Sequence, residues 1–448
     1  MGFFCRFGKA RMNLPHRLAT LYLIGSISRS LPYLIRSAMS KKRIPKLFAG
    51  YTNHNRVRLI HGGKDYFDAL LQLIDEAQST IHLQTYIFDG DETGRMVADA
   101  LLRAAGRKVQ VFILLDGYAS QHLSRQIIRE WREAGIRFRW FWPLFKSRHF
   151  YLGRRLHHKV VVADAASGMA GGVNISDRYN DIGGQKAWLD RALRVEGQAA
   201  LKLYLVCRDM WTKAYWNKGI SKKDQFPWVP GITPEEECLV RVRRNDWVQG
   251  KNEISRSYLE MFRQAGSRVI VLSSYFLPGK ILRKQMALAA KRGVIIKIIV
   301  GSKSDVKISR LAEQYMYDWL FRNKMQVYEY QDTILHGKMA VYDGVWMTNG
   351  SYNVNKISAY ASVELNMDVR NEAFAASVEQ ELEEIIRNHC VQITPENYFH
   401  HTGLFKRFLQ RIAYETIRIL FFLFTFYFKQ EKESKPRPRS NKPVSTAA

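Results

Sequence analysis

Two stretches of the chain decide its fold: LHHKVVVADAASGMAGGVN at residues 156–174 and LHGKMAVYDGVWMTNGSYN at residues 335–353. Each contains a His, a Lys two residues later, an Asp five residues after the Lys and an Asn ten residues after the Asp, and the two sets are offset by 179 positions. The eight residues are His157, Lys159, Asp164 and Asn174, then His336, Lys338, Asp343 and Asn353. One short motif matches easily by chance, but two copies in the same register do not. The sequence therefore predicts a duplicated functional unit.

The His and Lys of each copy open an apolar run that is typical of a β-strand, VVVA in the first copy and MAVY in the second. Side chains two positions apart on a strand share a face, so His157 and Lys159 are predicted to point the same way and His158 the opposite way. His158 is accordingly interpreted as a packed residue. The segments that follow are predicted to be neighbouring strands that return Asn174 and Asn353 to the same pocket.

An imidazole, an ammonium and a carboxamide from each copy suit a phosphodiester substrate. Lys and Asn side chains donate hydrogen bonds to phosphate oxygens and stabilise the charge of the transition state without requiring a metal ion. One neutral imidazole can attack phosphorus, while one imidazolium protonates the departing alkoxide. The first product is then a phosphohistidine, which an alcohol or water displaces. We expect no cofactor and no metal site.

The two motif aspartates, Asp164 and Asp343, stand at the far ends of the predicted strands. Their spacing includes them in the candidate catalytic set. Aspartate is equally suited to holding a turn or to pairing with a basic side chain without touching substrate. The sequence leaves both roles open.

The pattern H-x-K-x4-D followed by G-[GS]-x-N, present twice, resembles the phospholipase D superfamily, and the resemblance extends over residues 51–398. The stretch FDGDETGRMVADALLRAAGRKVQVFILLDGYAS (residues 88–120) is most similar to bacterial cardiolipin synthases. The resemblance implies that His157 is the nucleophile and that His336 is the general acid and base. It also implies that a carboxylate after each Asn orients a motif His, and the matching residues are Asp190 and Glu364.

The length of 448 residues exceeds one typical core and suits two lobes. The repeat extends beyond the motifs, because IDEAQSTIHLQTYIF (74–88) is similar to FRQAGSRVIVLSSYF (262–276). Strands alternate with helical stretches, which predicts an α/β fold. Together with the family resemblance, this implies two similar phospholipase D-like lobes, each a mixed β-sheet flanked by helices, with pseudo-twofold symmetry and one shared active site at their interface. The predicted lobes are residues 51–232 and 233–400, with a linker near residues 225–237.

Residues 1–50 are predicted to be a basic segment that associates with a membrane. Residues 1–64 contain thirteen Lys or Arg and no Asp or Glu, and LATLYLIGSIS (18–28) is an apolar run of eleven residues. Such a run is too short to span a bilayer, which needs about twenty residues. It fits a secretory signal, a transit peptide or an uncleaved membrane-surface anchor. The anchor is favoured because no A-x-A-like cleavage site follows.

Residues 401–429 are predicted to form an amphipathic helix in the membrane interface. Within LFKRFLQRIAYETIRILFFLFTFYFK (404–429), apolar residues recur at helical spacing and basic residues occupy the other side. The alternative is a core helix packed on a lobe, since amphipathicity alone does not separate the two cases. Residues 430–448 are interpreted as a disordered tail.

A formal net charge of +28 indicates an anionic partner, and both nucleic acid and acidic lipid qualify electrostatically. The membrane-seeking ends favour an anionic phospholipid, phosphatidylglycerol, over nucleic acid, and a location at the bacterial inner membrane. The four cysteines show neither C-x-x-C nor zinc-ligand spacing, so the sequence indicates neither a disulfide framework nor a metal centre.

The family resemblance therefore implies a membrane-associated phosphatidyltransferase, most similar to a cardiolipin synthase that converts two phosphatidylglycerols into cardiolipin and glycerol. Other interpretations stay open at this point. In a hydrolase of the same superfamily, a phospholipase D or a nuclease, water resolves the phosphohistidine. Another phosphatidyl transferase would use a different alcohol, and a non-catalytic lipid-binding protein would use none.

Overall fold

The computed structural model describes residues 50–142, 154–212, 231–360 and 362–434. Apart from Gly50, the basic segment predicted at residues 1–50 lies outside the described residues. So do the first part of the linker expected near residues 225–237 and the predicted tail beyond Ser434. From Tyr51 onward the described chain forms one compact unit. Both motifs therefore belong to the same body.

The first half of the described chain alternates strands and helices in the order that the sequence predicts. Its elements are β1 (Thr52–His61), α1 (Lys64–Glu76), β2 (Thr80–Thr85), α2 (Glu92–Gly106), β3 (Gln110–Asp116), α3 (Arg125–Glu133), β4 (Arg137–Phe141), β5 (Arg155–Leu156), β6 (Lys159–Ala163), β7 (Ser167–Gly171), β8 (Arg191–Gly197) and α4 (Gln198–Thr212). The first motif occupies β6 and β7 together with the residues that flank them.

The second half repeats this pattern and adds a helical C-terminal part. Its strands are β9 (Cys238–Asp246), β10 (Lys251–Asn252), β11 (Arg268–Ser273), β12 (Ile295–Gly301), β13 (Gln326–Tyr330), β14 (Lys338–Tyr342), β15 (Trp346–Gly350), β16 (Ser362–Arg370) and β17 (Cys390–Ile393). Its helices are α5 (Glu253–Gln264), α6 (Lys280–Lys291), α7 (Lys307–Tyr315), α8 (Tyr317–Arg322), α9 (Lys356–Tyr360), α10 (Glu372–His389), α11 (Pro395–His401) and α12 (Leu404–Ser434). The second motif occupies β14 and β15.

The two halves have the same sheet topology. In the first, the strands lie in the order β4-β3-β2-β6-β7-β8-β1, with β2, β3 and β4 parallel and the remaining neighbours antiparallel. In the second, the order is β13-β12-β11-β14-β15-β16-β9, with the same pattern of directions, and β17 extends the edge beyond β13. The prediction of two similar α/β lobes is confirmed. The lobes join where β1 pairs with β9 and where β5 pairs with β16.

Both faces of the motif strands are buried. In the first lobe, α1 and α2 cover one face of the sheet, while α4 and residues of the second lobe cover the other. Along β6, Val161 and Ala163 contribute to the core under α1 and α2, while Val160 and Val162 contribute to the core between the lobes. This alternation follows from the two-residue period of a strand. It explains why the motif strands read as continuous apolar runs and not as alternating patterns.

Helix α12 packs along α7, where Gln410, Ala413 and Ile417 are buried. Several large apolar side chains on the same helix are exposed: Leu404, Phe405, Phe408, Leu409, Ile412, Ile419 and Leu420. The helix ends at Ser434, five residues beyond the predicted limit. None of the helices in the described part of the chain is long and apolar enough to cross a membrane.

Candidate active site between the two lobes

The two motif histidines line one cavity. Its volume is about 560 Å³, and both lobes contribute to its wall. The motif asparagines, Asn174 and Asn353, line the same cavity. The polar and aromatic residues around these four are Tyr86, Arg155, Arg178, Tyr179, Trp188, Tyr275, Asp305, Ser309, Asn355, Ser358 and Ser362. The duplicated motif thus builds a single site at the seam between the lobes.

Each histidine is hydrogen-bonded to a carboxylate of the opposite lobe. Nδ1 of His157 lies 2.9 Å from Oε2 of Glu364, and Nδ1 of His336 lies 2.6 Å from Oδ2 of Asp190. Both carboxylates are fully buried. A carboxylate at Nδ1 fixes the tautomer in which Nδ1 carries the proton and Nε2 has a free lone pair. Both rings are therefore oriented with Nε2 available for chemistry.

Short backbone bridges between the lobes produce these crossed pairs. The β5–β16 pairing matches Leu156 with Val363, so the next residues along each strand, His157 and Glu364, are brought together. On the other side, the amide of His336 donates to the carbonyl oxygen of Leu189 at 2.8 Å, which places the ring beside Asp190. The same local arrangement therefore occurs twice.

The two lysines lie buried behind the histidines. Nζ of Lys159 donates to the carbonyl oxygen of His157 at 2.6 Å, and Nζ of Lys338 donates to the carbonyl oxygen of His336. Burial lowers the pKa of Lys159 to about 7, and the nearby Lys338 ammonium lowers it further. Burial also lowers the pKa of Lys338 to about 8. The Lys338 charge acts on Lys159, so the two ammonium groups repel each other. A negative charge in the cavity relieves this repulsion, which favours binding of an anion.

The two asparagines differ in how they are held. Nδ2 of Asn174 donates to the hydroxyl of Tyr179 at 2.9 Å, and its Oδ1 accepts from the amide of Ile87 at 3.2 Å. Among the described residues, the Asn353 side chain has no hydrogen-bond partner, and its Oδ1 is buried. A buried polar group without a partner is costly in a folded protein. Asn353 is therefore free to bind a ligand in the cavity.

A model of the family described as "Cardiolipin synthase, PLD-like domain" matches the chain twice, over residues 70–185 and 258–386. This protein belongs to the phospholipase D superfamily. Each matched segment contains one copy of the motif and part of one lobe. The family resemblance inferred from the motifs is thereby confirmed.

Curated relatives of this phospholipase D-like protein match along most of its length. Cardiolipin synthase B of Salmonella typhimurium is 33% identical over 351 residues, which cover 77% of this chain and 83% of the relative. The Escherichia coli K12 protein of the same name is 33% identical over 347 residues, covering 76% and 82%. Cardiolipin synthase 1 of Bacillus cereus is 28% identical over 365 residues, covering 79% and 70%.

Solved structures share the fold. The phosphatidylserine synthase of Haemophilus influenzae superimposes with a TM-score of 0.64 at 15% identity, covering 81% of this chain and 93% of that one. The polyphosphate kinase of Porphyromonas gingivalis superimposes with a TM-score of 0.52 at 16% identity, covering 76% and 49%. At these identities the likeness concerns the fold alone.

The motif aspartates of this phospholipase D-like protein lie away from the cavity and hold the chain turns. Oδ1 of Asp164 accepts from the amides of Ser79 and Thr80, and its Oδ2 accepts from the amide of Gln78. Asp343 accepts in the same way from the three backbone amides of residues 266–268. Of the two roles that the sequence left open, these contacts favour the turn.

His158 is buried on the opposite face of the strand from His157, as predicted. Its Nε2 lies 2.9 Å from Oε1 of Gln84, and burial lowers its pKa to about 3. It is a packed, neutral residue that does not line the cavity.

The motifs and their spacing do not indicate the aromatic residues that surround the histidines. The ring of Tyr86 lies 4.8 Å from that of His157, and the ring of Tyr179 lies 5.0 Å from that of His336. The hydroxyl of Tyr179 is 3.4 Å from Nε2 of His336. The repeat gave no signal for Tyr86, because the alignment of residues 74–88 with 262–276 places Ser274 opposite it and Tyr275 opposite Ile87. Tyr179 lies outside the repeated segments.

Burial favours the neutral form of both histidines. Burial lowers the pKa of His157 more than Glu364 raises it. Burial, and then the Lys338 ammonium, lower the pKa of His336 to about 3. Burial alone would raise the pKa of Asp190, but Lys338 and His336 bring it below its ordinary value. The site therefore combines neutral imidazoles with an ionised Asp190. None of the described residues forms a cluster of metal-ligating side chains.

Proposed function

We propose that this protein is a phosphatidyltransferase that acts through a phosphohistidine at His157 and makes cardiolipin from two molecules of phosphatidylglycerol. The observation that carries the proposal is the pair of histidines on one cavity, each with a carboxylate at Nδ1 and with Nε2 available. The names of the curated relatives support the same reaction.

In the first half-reaction, Nε2 of His157 attacks the phosphorus of one phosphatidylglycerol. The bond from phosphorus to the glycerol headgroup breaks, and His336 donates a proton to the departing oxygen. The products are phosphatidyl-His157 and free glycerol. An anionic phosphodiester beside His336 raises the pKa of that ring, so substrate binding itself supplies the imidazolium that the step requires.

In the second half-reaction, a hydroxyl group of another phosphatidylglycerol attacks the phosphohistidine. His336, now neutral, accepts the hydroxyl proton, and the P–N bond to His157 breaks. The product is cardiolipin. One phosphodiester replaces another, so the exchange needs no nucleotide as an energy source. Lys159, Lys338, Asn174 and Asn353 donate hydrogen bonds to the phosphoryl oxygens in both steps.

The contacts of the two histidines support their different roles. Nε2 of His157 has no hydrogen-bond partner among the described residues, which leaves it open to attack phosphorus. Nε2 of His336 lies within 3.4 Å of the Tyr179 hydroxyl, a polar neighbour suited to a group that gives and takes a proton. Asp190 beside His336 stabilises the imidazolium form of the ring.

Because the substrates are lipids, the proposal includes attachment to a membrane surface, which we place at the bacterial inner membrane. The exposed apolar side chains of α12 support this, since Leu404 is 84% and Phe405 is 74% exposed. Lys406, Arg407 and Arg411 are exposed on the same helix. In a typical interfacial helix, apolar side chains insert into the membrane, and the cations beside them contact anionic headgroups. Ile417 and Leu420 of α12 line the cavity, so this surface adjoins its entrance.

The test is to incubate the detergent-solubilised protein with labelled phosphatidylglycerol and to separate the lipids. We expect cardiolipin and free glycerol, and we expect both to vanish in His157→Ala. His122→Ala removes an exposed histidine outside the cavity and serves as the matched control. Phosphatidic acid as the sole product would instead indicate a hydrolase, and full activity of His157→Ala would contradict the assigned nucleophile.

A further inference from the structure

A second cavity adjoins the active site under helix α12. Its volume is about 220 Å³, and it shares two lining residues, Leu277 and Ile417, with the active-site cavity. The second copy of the motif approaches the same place, because Asn353 and Lys356 are separated by only two residues and line the active-site and the second cavity respectively. The two cavities are therefore neighbours across a thin apolar wall.

The wall of this second cavity is strongly basic. Lys280 and Arg283 come from α6, Lys356 from α9 and Arg418 from α12, so three separate elements bring four cations together. Among the described residues, Lys280 and Lys356 have no ion-pair partner, while Arg418 pairs with Glu415 at 2.7 Å. The floor is apolar. Lys280 and Lys356, which lack acidic partners, are repelled by each other and by the neighbouring guanidinium groups, and an anionic ligand would relieve this repulsion.

The start of helix α6 adds to this positive potential. The helix has no acidic residue in its first turn, and its N-cap, Gly279, makes no side-chain cap hydrogen bond. The free amides and the helix dipole at such an end favour a negative charge. The Lys356 side chain lies against Gly279, so the ammonium stands at the same end of the helix.

We propose that this basic cavity binds the phosphodiester of the acceptor lipid. The inference rests on the proposed function, in which the acceptor is itself an anionic phospholipid. When the acceptor hydroxyl attacks phosphatidyl-His157, a three-carbon glycerol separates the acceptor phosphate from the reacting phosphorus. The acceptor phosphate must therefore lie close to the active-site cavity but outside the ring of groups around the first phosphate. The basic cavity lies there, and its apolar floor accommodates the adjoining lipid backbone.

Binding of the acceptor phosphate in the basic cavity favours a lipid acceptor over water. Cations in the basic cavity hold the acceptor through a group that water and simple alcohols lack. Binding energy from a part of the substrate that does not react is thus used to position the reacting hydroxyl. Acceptors without a phosphate should gain nothing from these residues.

The test compares two acceptors for one intermediate. Labelled phosphatidylglycerol is supplied in mixed micelles with a fixed concentration of ethanol, and the ratio of cardiolipin to phosphatidylethanol is measured. Both products arise from the same phosphohistidine, so the ratio does not depend on how fast the intermediate forms or on how much protein binds the micelles. The variant is Lys280→Gln/Arg283→Gln/Lys356→Gln. The control, Lys284→Gln/Lys291→Gln/Lys324→Gln, removes the same charge from residues outside the cavity.

We expect the ratio to fall at least about tenfold in the cavity variant, equivalent to about 1.4 kcal/mol, and to stay unchanged in the control. An unchanged ratio in the cavity variant would overturn the inference and leave the proposed function standing, whether total turnover is preserved or reduced. A wild-type protein that forms neither cardiolipin nor phosphatidylethanol would overturn the proposed function, and the inference with it.

Discussion

Replacing Asp190 by Asn should slow phosphatidyl transfer to an extent that depends on the leaving group. Asp190 is fully buried and lies 2.6 Å from Nδ1 of His336, so Asn retains the shape of the side chain and removes the charge that stabilises the imidazolium. General acid catalysis contributes about 100- to 10,000-fold to reactions of this type. With phosphatidylglycerol, whose glycerol must leave with a proton, we therefore expect kcat to fall at least about 100-fold.

A donor that carries p-nitrophenol in place of glycerol isolates this effect. Nitrophenolate leaves without protonation, so the first step no longer needs an acid, and its rate in Asp190→Asn should stay within about threefold of the wild-type rate. Glu364→Gln is the matched variant, because Oε2 of Glu364 lies 2.9 Å from Nδ1 of the nucleophile His157 and orients its ring. It should slow both donors. For the nitrophenyl donor, the burst of nitrophenolate absorbance is followed after rapid mixing. For phosphatidylglycerol, the lipid products are separated by chromatography.

The substitution also affects stability, because the charge of Asp190 is the one that most raises the pKa of the buried Lys338. Breaking a buried ion pair costs about 3–5 kcal/mol when the remaining charge persists. Since the pKa of Lys338 is already about 8, this lysine can lose its proton and limit the cost. Rates are therefore compared below the melting temperature of each variant, measured by thermal unfolding. Equal slowing of Asp190→Asn with both donors would refute the assignment of His336 as the acid.

Three further predictions concern the lysines, the motif aspartates and helix α12. Because the pKa of Lys159 is about 7 and that of Lys338 about 8, both ammonium groups lose protons as the pH rises, so kcat/KM should fall from about pH 7 upward; a rise over the same range would contradict their role as hydrogen-bond donors to the phosphate. Asp164→Ala removes the acceptor of three backbone amides and should lower the free energy of unfolding by about 1–3 kcal/mol, while kcat per folded molecule stays within about twofold of wild type. Denaturant titration measures the stability, and the burst amplitude gives the concentration of active sites. A large loss of kcat at unchanged stability would argue for a catalytic Asp164. Phe405→Ser should weaken flotation with anionic vesicles about tenfold, whereas Val391→Ser, which changes an exposed apolar residue on β17, should not; equal flotation of both variants would remove α12 from the membrane contact.

The lobes and the principal site were predictable from the sequence because the duplication is visible in it. The repeated intervals from His157 and from His336 identify the motif strands, and the matching segments around β2 and β11 identify the repeated α/β unit. The face on which His158 lies followed from the period of a strand. Each of these features depends on residues that are close together in the chain.

Contacts between the lobes were not predictable from spacing. Asp190 lies 16 residues beyond Asn174, whereas Glu364 lies only 11 residues beyond Asn353, so the two carboxylates look unrelated in the sequence. Strand register shows that they are equivalent, because Gly171 pairs with Ala192 and Gly350 pairs with Asn366. The difference in spacing is confined to the connecting segments before β8 and β16. Which carboxylate meets which histidine is decided by the bridges between the lobes.

Helix α12 shows why the sequence left two interpretations open. Its periodicity fits both packing on a lobe and insertion into a membrane, and the structure places Ala413 and Ile417 against the protein while Phe405 and Phe408 are exposed. A single helix thus has one apolar surface that is covered and another that is not. The basic cavity was missed for a different reason, since its cations come from three elements that are distant in the chain.

The most direct measurement of the central claim is the isolation of the intermediate. His336→Ala is mixed with the p-nitrophenyl donor, quenched in alkali, which preserves phosphohistidine, and digested for mass spectrometry. We expect nearly one phosphatidyl group per chain, attached to the peptide that contains His157, because the intermediate forms without an acid from this donor and the variant lacks the base that resolves it. A label on any other residue, or no label although nitrophenolate is released in a full burst, would contradict the central claim.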